Sequence, residues 1–356
     1  MQPVQSPFAV PSPFVADIDD ALPTAIDPLA LSLNENPFPP LPAVRSALIR
    51  SIYAVNRYPE FLPERLRGLI AGHVGLPAEQ VVLGAGATGV ALQALHALTA
   101  PGDTVAMASP TFDGYPIIAR MARLNSLTVP LGKGGHNDLG GLADAAANAR
   151  VVVVCRPHNP TGTLEPAAEL LRFLRRVPQD TIVLLDEAYI EFASPEHWID
   201  LSALVAGFPN VVVVRTFSQA YGLAGLRIGY GVASPELART LWSQQLPFGV
   251  ALTSLFAVAA SYQAEGQLLQ RIQSINAERR YLRMRLSALG IYTTDAHANF
   301  MYLPSRGRPW HEVFAGSGLQ VRHYEDGGAR ITVGNRASTL AVLSAVGKAT
   351  LRPQMR

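Results

Sequence analysis

Apolar residues gather in short unbroken runs, separated by longer stretches in which they return every three or four positions. The runs Val81-Val82-Leu83, Thr104-Val105-Ala106-Met107-Ala108, Val151-Val152-Val153-Val154, Thr181-Ile182-Val183-Leu184-Leu185 and Val211-Val212-Val213-Val214 are rich in valine and end in polar residues or glycine. Such runs predict strands covered on both faces, as in a parallel sheet. Helical spacing between them, clearest over residues 87–98, predicts crossover helices. The alternation points to an α/β fold whose large domain has a mostly parallel central sheet flanked by helices. Open sheets of this kind receive ligands at the C-terminal ends of their strands.

The C-terminal third reads differently. A long helical pattern over 251–289 leads to four short segments expected as strands, 291–293, 299–303, 319–322 and 329–333, with helices over 309–317 and 337–350. That is a smaller α+β domain. Residues 1–30 are rich in proline without clear periodicity and read as an extended arm. The expected division is an arm and the start of the small domain over 1–45, a large domain over 46–250, and a linking helix with the small domain over 251–356.

Composition narrows the function. The chain has 356 residues, 49% hydrophobic and 16% charged, enough for a large core. A net charge of +2 without a basic block gives no footprint for nucleic acid or anionic lipid, so a small molecule is the expected partner. No basic segment followed by an apolar one opens the chain, and the most apolar stretch, 248–262, is too short to span a bilayer. A cytoplasmic protein is expected. The single cysteine, Cys155, ends an apolar run and reads as core. Of 29 basic residues, two are lysines, Lys133 in a glycine-rich loop and Lys348 near the C-terminus.

Several strand ends carry candidate chemistry. Gly84-Ala85-Gly86-Ala87-Thr88-Gly89 joins a strand to a helix, where small residues expose backbone N–H groups to an anion such as phosphate. The same letters fit a dinucleotide fingerprint, but the expected acid at the end of the second strand is missing: Asp103 precedes that strand. Asp186 ends an apolar strand, a costly place for a carboxylate unless it serves a partner.

The run Arg215-Thr216-Phe217-Ser218-Gln219-Ala220-Tyr221-Gly222-Leu223-Ala224-Gly225-Leu226-Arg227-Ile228-Gly229-Tyr230 resembles the cofactor-anchoring segment of fold-type I pyridoxal phosphate (PLP) aminotransferases, in the histidinol-phosphate and aromatic amino acid branch. Leu33-Asn34-Glu35-Asn36-Pro37, Asn56-Arg57-Tyr58-Pro59, Asn159-Pro160-Thr161-Gly162 and Arg330-Ile331-Thr332-Val333-Gly334 extend the resemblance over residues 31–350. It implies pyridoxal 5'-phosphate as cofactor and an amino acid substrate. The Ala87 and Thr88 amides, Ser218 and Arg227 would hold the phosphate. Phe112 would stack on the pyridine ring, and Asp186 would pair with its nitrogen. Asn159 and Tyr189 would share the phenolic oxygen, and Arg330 would fork the substrate carboxylate, with Asn34 and Arg322 as further substrate contacts. Tyr58 would reach the phosphate of a neighbouring protomer, implying a homodimer.

The resemblance departs at one position. Gln219 stands where the family has the lysine that forms the Schiff base and shuttles the proton. A carboxamide does neither, so ordinary transamination should collapse. The cofactor would then be held non-covalently, or as an external aldimine with substrate. Three explanations stay open: a lysine-to-glutamine variant of a working aminotransferase, a natural lysine-independent PLP enzyme (decarboxylation, β-elimination or oxidation, with Tyr58, Tyr189, His158 or water as base), and a non-catalytic PLP-binding homologue.

Overall fold

The computed structural model describes residues 23–351, so most of the expected N-terminal arm lies outside the described residues. The central sheet has seven strands: β1 (Val81–Gly84), β2 (Thr104–Ser109), β3 (Asn125–Pro130), β4 (Val151–Cys155), β5 (Ile182–Asp186), β6 (Val211–Thr216) and β7 (Gly229–Ala233). Their spatial order is β1-β7-β6-β5-β4-β2-β3. β2 to β6 pair in parallel, and β7 runs antiparallel to β1 and β6.

The valine runs explain why this sheet sits in the middle of the molecule. Side chains alternate between faces along a strand. Val152, Val154, Val183, Leu185, Val211 and Val213 enter one apolar core, while Val151, Val153, Ile182, Leu184, Val212 and Val214 enter another. Each buried valine contributes on the order of 1.5–3 kcal/mol by leaving water. Helices such as Gly86–Leu98 and Ala167–Arg176 supply the covering layers.

A second sheet contains β8 (Phe300–Leu303), β9 (Arg322–His323) and β10 (Ala329–Thr332), with β10 in the centre and both pairings antiparallel. Residues 291–293, expected as a strand, form none. They follow the helix Glu265–Ala288 in a segment whose backbone bonds go to its turn, with Ile291 N–H donating to Leu286. The single long helix expected over 251–289 is two, Leu252–Gln263 and Glu265–Ala288, meeting at Ala264. Leu31 N–H donates to Gln320 O and Thr332 N–H donates to Leu31 O, tying the entering chain to the second sheet.

Under the strand ends, Glu187 is sealed from solvent between two arginines. Its Oε2 accepts from Arg215 Nη2 at 2.7 Å, and its Oε1 lies 3.5 Å from Arg156 Nη1. Among the described residues no helix is long and apolar enough to cross a membrane, and no cluster of His, Cys, Asp and Glu is suited to hold a metal ion.

Candidate active site

The ends of β4, β5 and β6 and the start of the helix Gly86–Leu98 converge on a cavity of about 240 Å³. Of the residues expected there, Ala87, Thr88, Phe112, Asn159, Asp186, Tyr189, Ser218, Gln219 and Arg227 all line it.

One end is built for an anion. The helix begins at Gly86, whose φ of +75° favours glycine and where a Cβ would meet Arg227 Nη2 at 2.5 Å. Arg227 Nη1 donates to Ser218 Oγ at 3.3 Å and to Ala224 O at 2.9 Å. Thr216 Oγ1 donates to Ser218 Oγ at 3.0 Å. A helix N-terminus, a hydroxyl and a fixed guanidinium thus face one space, the arrangement a phosphate monoester requires.

The other end is built for a ring. Phe112 lines the cavity, and Gly114 leaves room for its ring, which a Cβ at 114 would meet at 2.4 Å. Asp186 is buried, and Tyr115 Oη donates to its Oδ2 at 2.7 Å while Ala188 N–H donates to its Oδ1 at 3.0 Å. Burial nevertheless moves the Asp186 carboxyl above the usual range, with the Tyr115 hydrogen bond pulling the other way. A pyridinium N–H would supply the missing counter-charge. Sequence reasoning missed Tyr115. Its only signal was its position three residues after Phe112. Tyr115→Phe should raise the Asp186 pKa further and weaken cofactor binding by about 1–2 kcal/mol, readable as a cofactor titration displaced to higher concentration.

The Tyr189 hydroxyl accepts from Asn34 Nδ2 at 2.9 Å and, more loosely, from Asn159 Nδ2 at 3.4 Å. Asn34, with φ of +59°, is buried and acts on Tyr189 rather than on the cavity itself. Burial pushes the Tyr189 phenol up to about 12, so it stays protonated at neutral pH and makes a poor base there. Arg330 lies in central strand β10 and is buried, with Nη1 donating to Asn159 Oδ1 and Nη2 to Ser32 O, both at 2.6 Å. Its Nε is sealed and unpartnered. Arg322 is not brought into the cavity. It lies on edge strand β9, exposed, and pairs with Asp113 at 2.8 Å. His158 is also outside the lining; its Nδ1 meets Thr161 Oγ1 at 2.8 Å, and burial lowers its pKa to about 4. Tyr58 is 83% exposed and packs on Phe248, away from its own cavity.

Gln219 lines the cavity, and its main-chain carbonyl accepts from Asn36 Nδ2 at 2.9 Å. Its side-chain Oε1 is buried and without a partner. Lys133 and Lys348 are both exposed and neither lines the cavity. An anion cradle, an aromatic ring and a buried carboxylate in one cavity together fit PLP, as expected for a PLP-dependent transferase.

Comparison with known proteins agrees. Residues 26–341 match the family Aminotransferase class I and II. The aromatic amino acid aminotransferase of Cutibacterium acnes is 39% identical over 322 residues, covering 90% of this chain and 92% of that one. That of Streptomyces avermitilis is 41% identical over 307 residues, covering 85% and 86%. The histidinol-phosphate aminotransferase of Sinorhizobium meliloti, solved with pyridoxal-5'-phosphate, has the same fold, with a TM-score of 0.84 at 24% identity over 98% of this chain and 97% of that one. L-threonine-O-3-phosphate decarboxylase from Porphyromonas gingivalis superposes with a TM-score of 0.74 at 25% identity, covering 85% and 96%. The chain belongs to the class I and II aminotransferase family: it is a PLP-dependent transferase of fold type I.

Truncating Arg227 removes the fixed charge at the phosphate end. Arg227→Ala should weaken PLP binding by about 2–4 kcal/mol, a factor of roughly 30 to 1000, measured by quenching of tryptophan fluorescence on titration. Affinity unchanged within threefold would remove Arg227 from the cradle.

Proposed function

We propose that this protein binds PLP through charge and hydrogen bonds alone and takes an aromatic amino acid as substrate, with ordinary transamination blocked at Gln219. The observation that carries this reading is the Gln219 side chain, which lines the cofactor cavity with its Oε1 unpartnered while no lysine is in reach. Bound PLP supplies an electron sink for bonds at the substrate α-carbon. Arg330 orients the substrate carboxylate, Tyr189 and Asn159 hold the phenolic oxygen, and Asp186 keeps the ring nitrogen protonated. Ser218, Arg227 and the Ala87 and Thr88 amides carry the phosphate. No side chain in this set takes the α-proton as a lysine would.

The aromatic assignment is supported by relatives near 40% identity with that name and by the apolar wall of Leu33, Phe112 and Ile118. Imidazole acetol phosphate with glutamate is the alternative pair. The reading includes a homodimer in which Tyr58 of one protomer reaches the phosphate site of its partner, supported by the exposed apolar residues Tyr53, Val55, Tyr58 and Phe61 beside Phe248. It keeps the division at residues 45 and 250, supported by the two separate sheets, and a cytoplasmic setting, supported by a lone buried cysteine. A second reading, a lysine-independent reaction such as decarboxylation, is favoured by Gln219 itself and by a decarboxylase sharing the fold.

Absorbance of the PLP-loaded protein with phenylalanine, histidinol phosphate and glutamate, followed by mass spectrometry of products, separates these readings. The expected result is a spectral change with one amino acid and no keto acid. Sustained formation of carbon dioxide or another product would establish the second reading. No response to any amino acid, with PLP still bound, would leave a non-catalytic binder.

A further inference from the structure

A second cavity, about 510 Å³, lies behind the cofactor site and shares no lining residue with it. The same two strand ends feed both. Along β6 and its extension, Thr216 and Ser218 face the cofactor cavity, whereas Arg215 lines the second one, as alternation along a strand requires. After β5, Asp186 and Tyr189 line the first cavity, and Glu191 lines the second.

The second cavity is acidic. Glu191, Glu265 and Asp200 line it. The charge of Arg215 is already met by Glu187, through Nε at 3.1 Å and Nη2 at 2.7 Å. His73, the remaining basic group, has its pKa lowered by burial and stacks on Tyr262 at 3.7 Å, so it is neutral at pH 7. Glu191 is half-buried as a residue, but its Oε2 is sealed and has no hydrogen-bond partner. The hydroxyl of Tyr262, behind His73, is also unpartnered. Trp198, Tyr221 and Tyr230 supply aromatic walls.

A carboxyl with one unpartnered oxygen among aromatic faces is a receptor for a cation that carries both a hydrogen-bond donor and an apolar body. We propose that this cavity binds a protonated organic amine, its N–H on Glu191 and its apolar body against Trp198 and Tyr221. Burial raises the Glu191 carboxyl to about 7, with Arg215 pulling the other way, so without a ligand it is partly protonated at neutral pH. Tyr221 and Tyr230 stay neutral there, since burial raises both phenols. An ammonium donor favours the ionised carboxylate, so binding releases a proton.

The probe is N,N-dimethylphenethylamine added to the PLP-loaded protein. As a protonated tertiary amine it keeps one N–H donor but does not condense with an aldehyde, so cofactor chemistry is excluded from the signal. Calorimetry at pH 7 in two buffers of different ionisation heat should give saturable one-to-one binding with release of a fraction of a proton. Glu191→Gln should weaken binding at least tenfold and abolish proton release, and Trp198→Ala should weaken it several-fold, with the PLP spectrum unchanged in both. The proton count on the unaltered protein stands even if a variant folds poorly. Absence of saturable binding at millimolar probe, binding without proton release, or equal binding of the neutral analogue 3-phenylpropanol would each overturn the proposal.

Discussion

Replacing Gln219 with lysine should attach the cofactor covalently and raise keto acid formation from an aromatic amino acid by about 10²–10⁴-fold, the range a positioned proton-transfer group supplies. The exchange puts an amine where the carboxamide oxygen now has no hydrogen bond and leaves intact the main-chain anchor, the Gln219 carbonyl held by Asn36. The surrounding groups need no rearrangement: Arg227 and Ser218 already line the cavity and bond to each other, and Asp186 is already held by Tyr115. Borohydride reduction followed by intact mass measurement reads attachment separately from turnover. The Gln219 protein should lose all cofactor on denaturation, and the Gln219→Lys protein should retain one per chain. Retention without turnover would mean that a further part of the proton path is missing. Equal turnover in both proteins would show that the chain works without a lysine and that the blocked-transamination reading is wrong.

Glu187→Gln should destabilise the fold by about 3–5 kcal/mol, because a carboxamide of nearly the same shape removes the carboxylate that Arg156 and Arg215 share. Glu187 and Arg156 are fully buried, and Arg215 is exposed only where it lines the second cavity, so the Glu187 end of the pair stays out of contact with water. Arg156 keeps neutral acceptors, the carbonyls of Glu165 and His197, whereas Arg215 Nε and Nη2 both rely on Glu187 Oε2. The damage should therefore centre on the end of β6, just ahead of Ser218 and Gln219. Urea unfolding measures the loss, and PLP affinity should fall with it. A midpoint within the error of the unaltered protein would mean that the two arginines find other partners and that the buried triad is dispensable.

Much of the fold was legible because it rests on local repetition. Valine runs of strand length, interrupted by helical spacing, leave one architecture that covers both faces of every strand, and the described sheet is that one. β3 escaped notice for the complementary reason: Asn125–Pro130 is an edge strand, largely exposed, so its sequence carries no buried run. Residues 291–293 look like a strand by composition, but β10 already has a partner on each side.

The candidate site divides along the same line. The sequence by itself determined which chemistry is present, since local pattern puts Asp186 at a strand end and the Gly86–Thr88 turn at a helix start, the family resemblance adds Ser218 and Arg227, and Gln219 brings no amine. Tertiary structure alone decided how those groups are held. Tyr115 reaches Asp186 across 71 positions, Asn34 reaches Tyr189 across 155, and Arg330 reaches Ser32 across 298. Arg330 is buried because its strand is central, whereas Arg322 is solvated at an edge, a distinction invisible in two similar short segments. The second cavity and the unpartnered Glu191 oxygen likewise exist only once β5, β6 and distant helices are brought together, because burial is a property of the packed assembly and not of any stretch of chain.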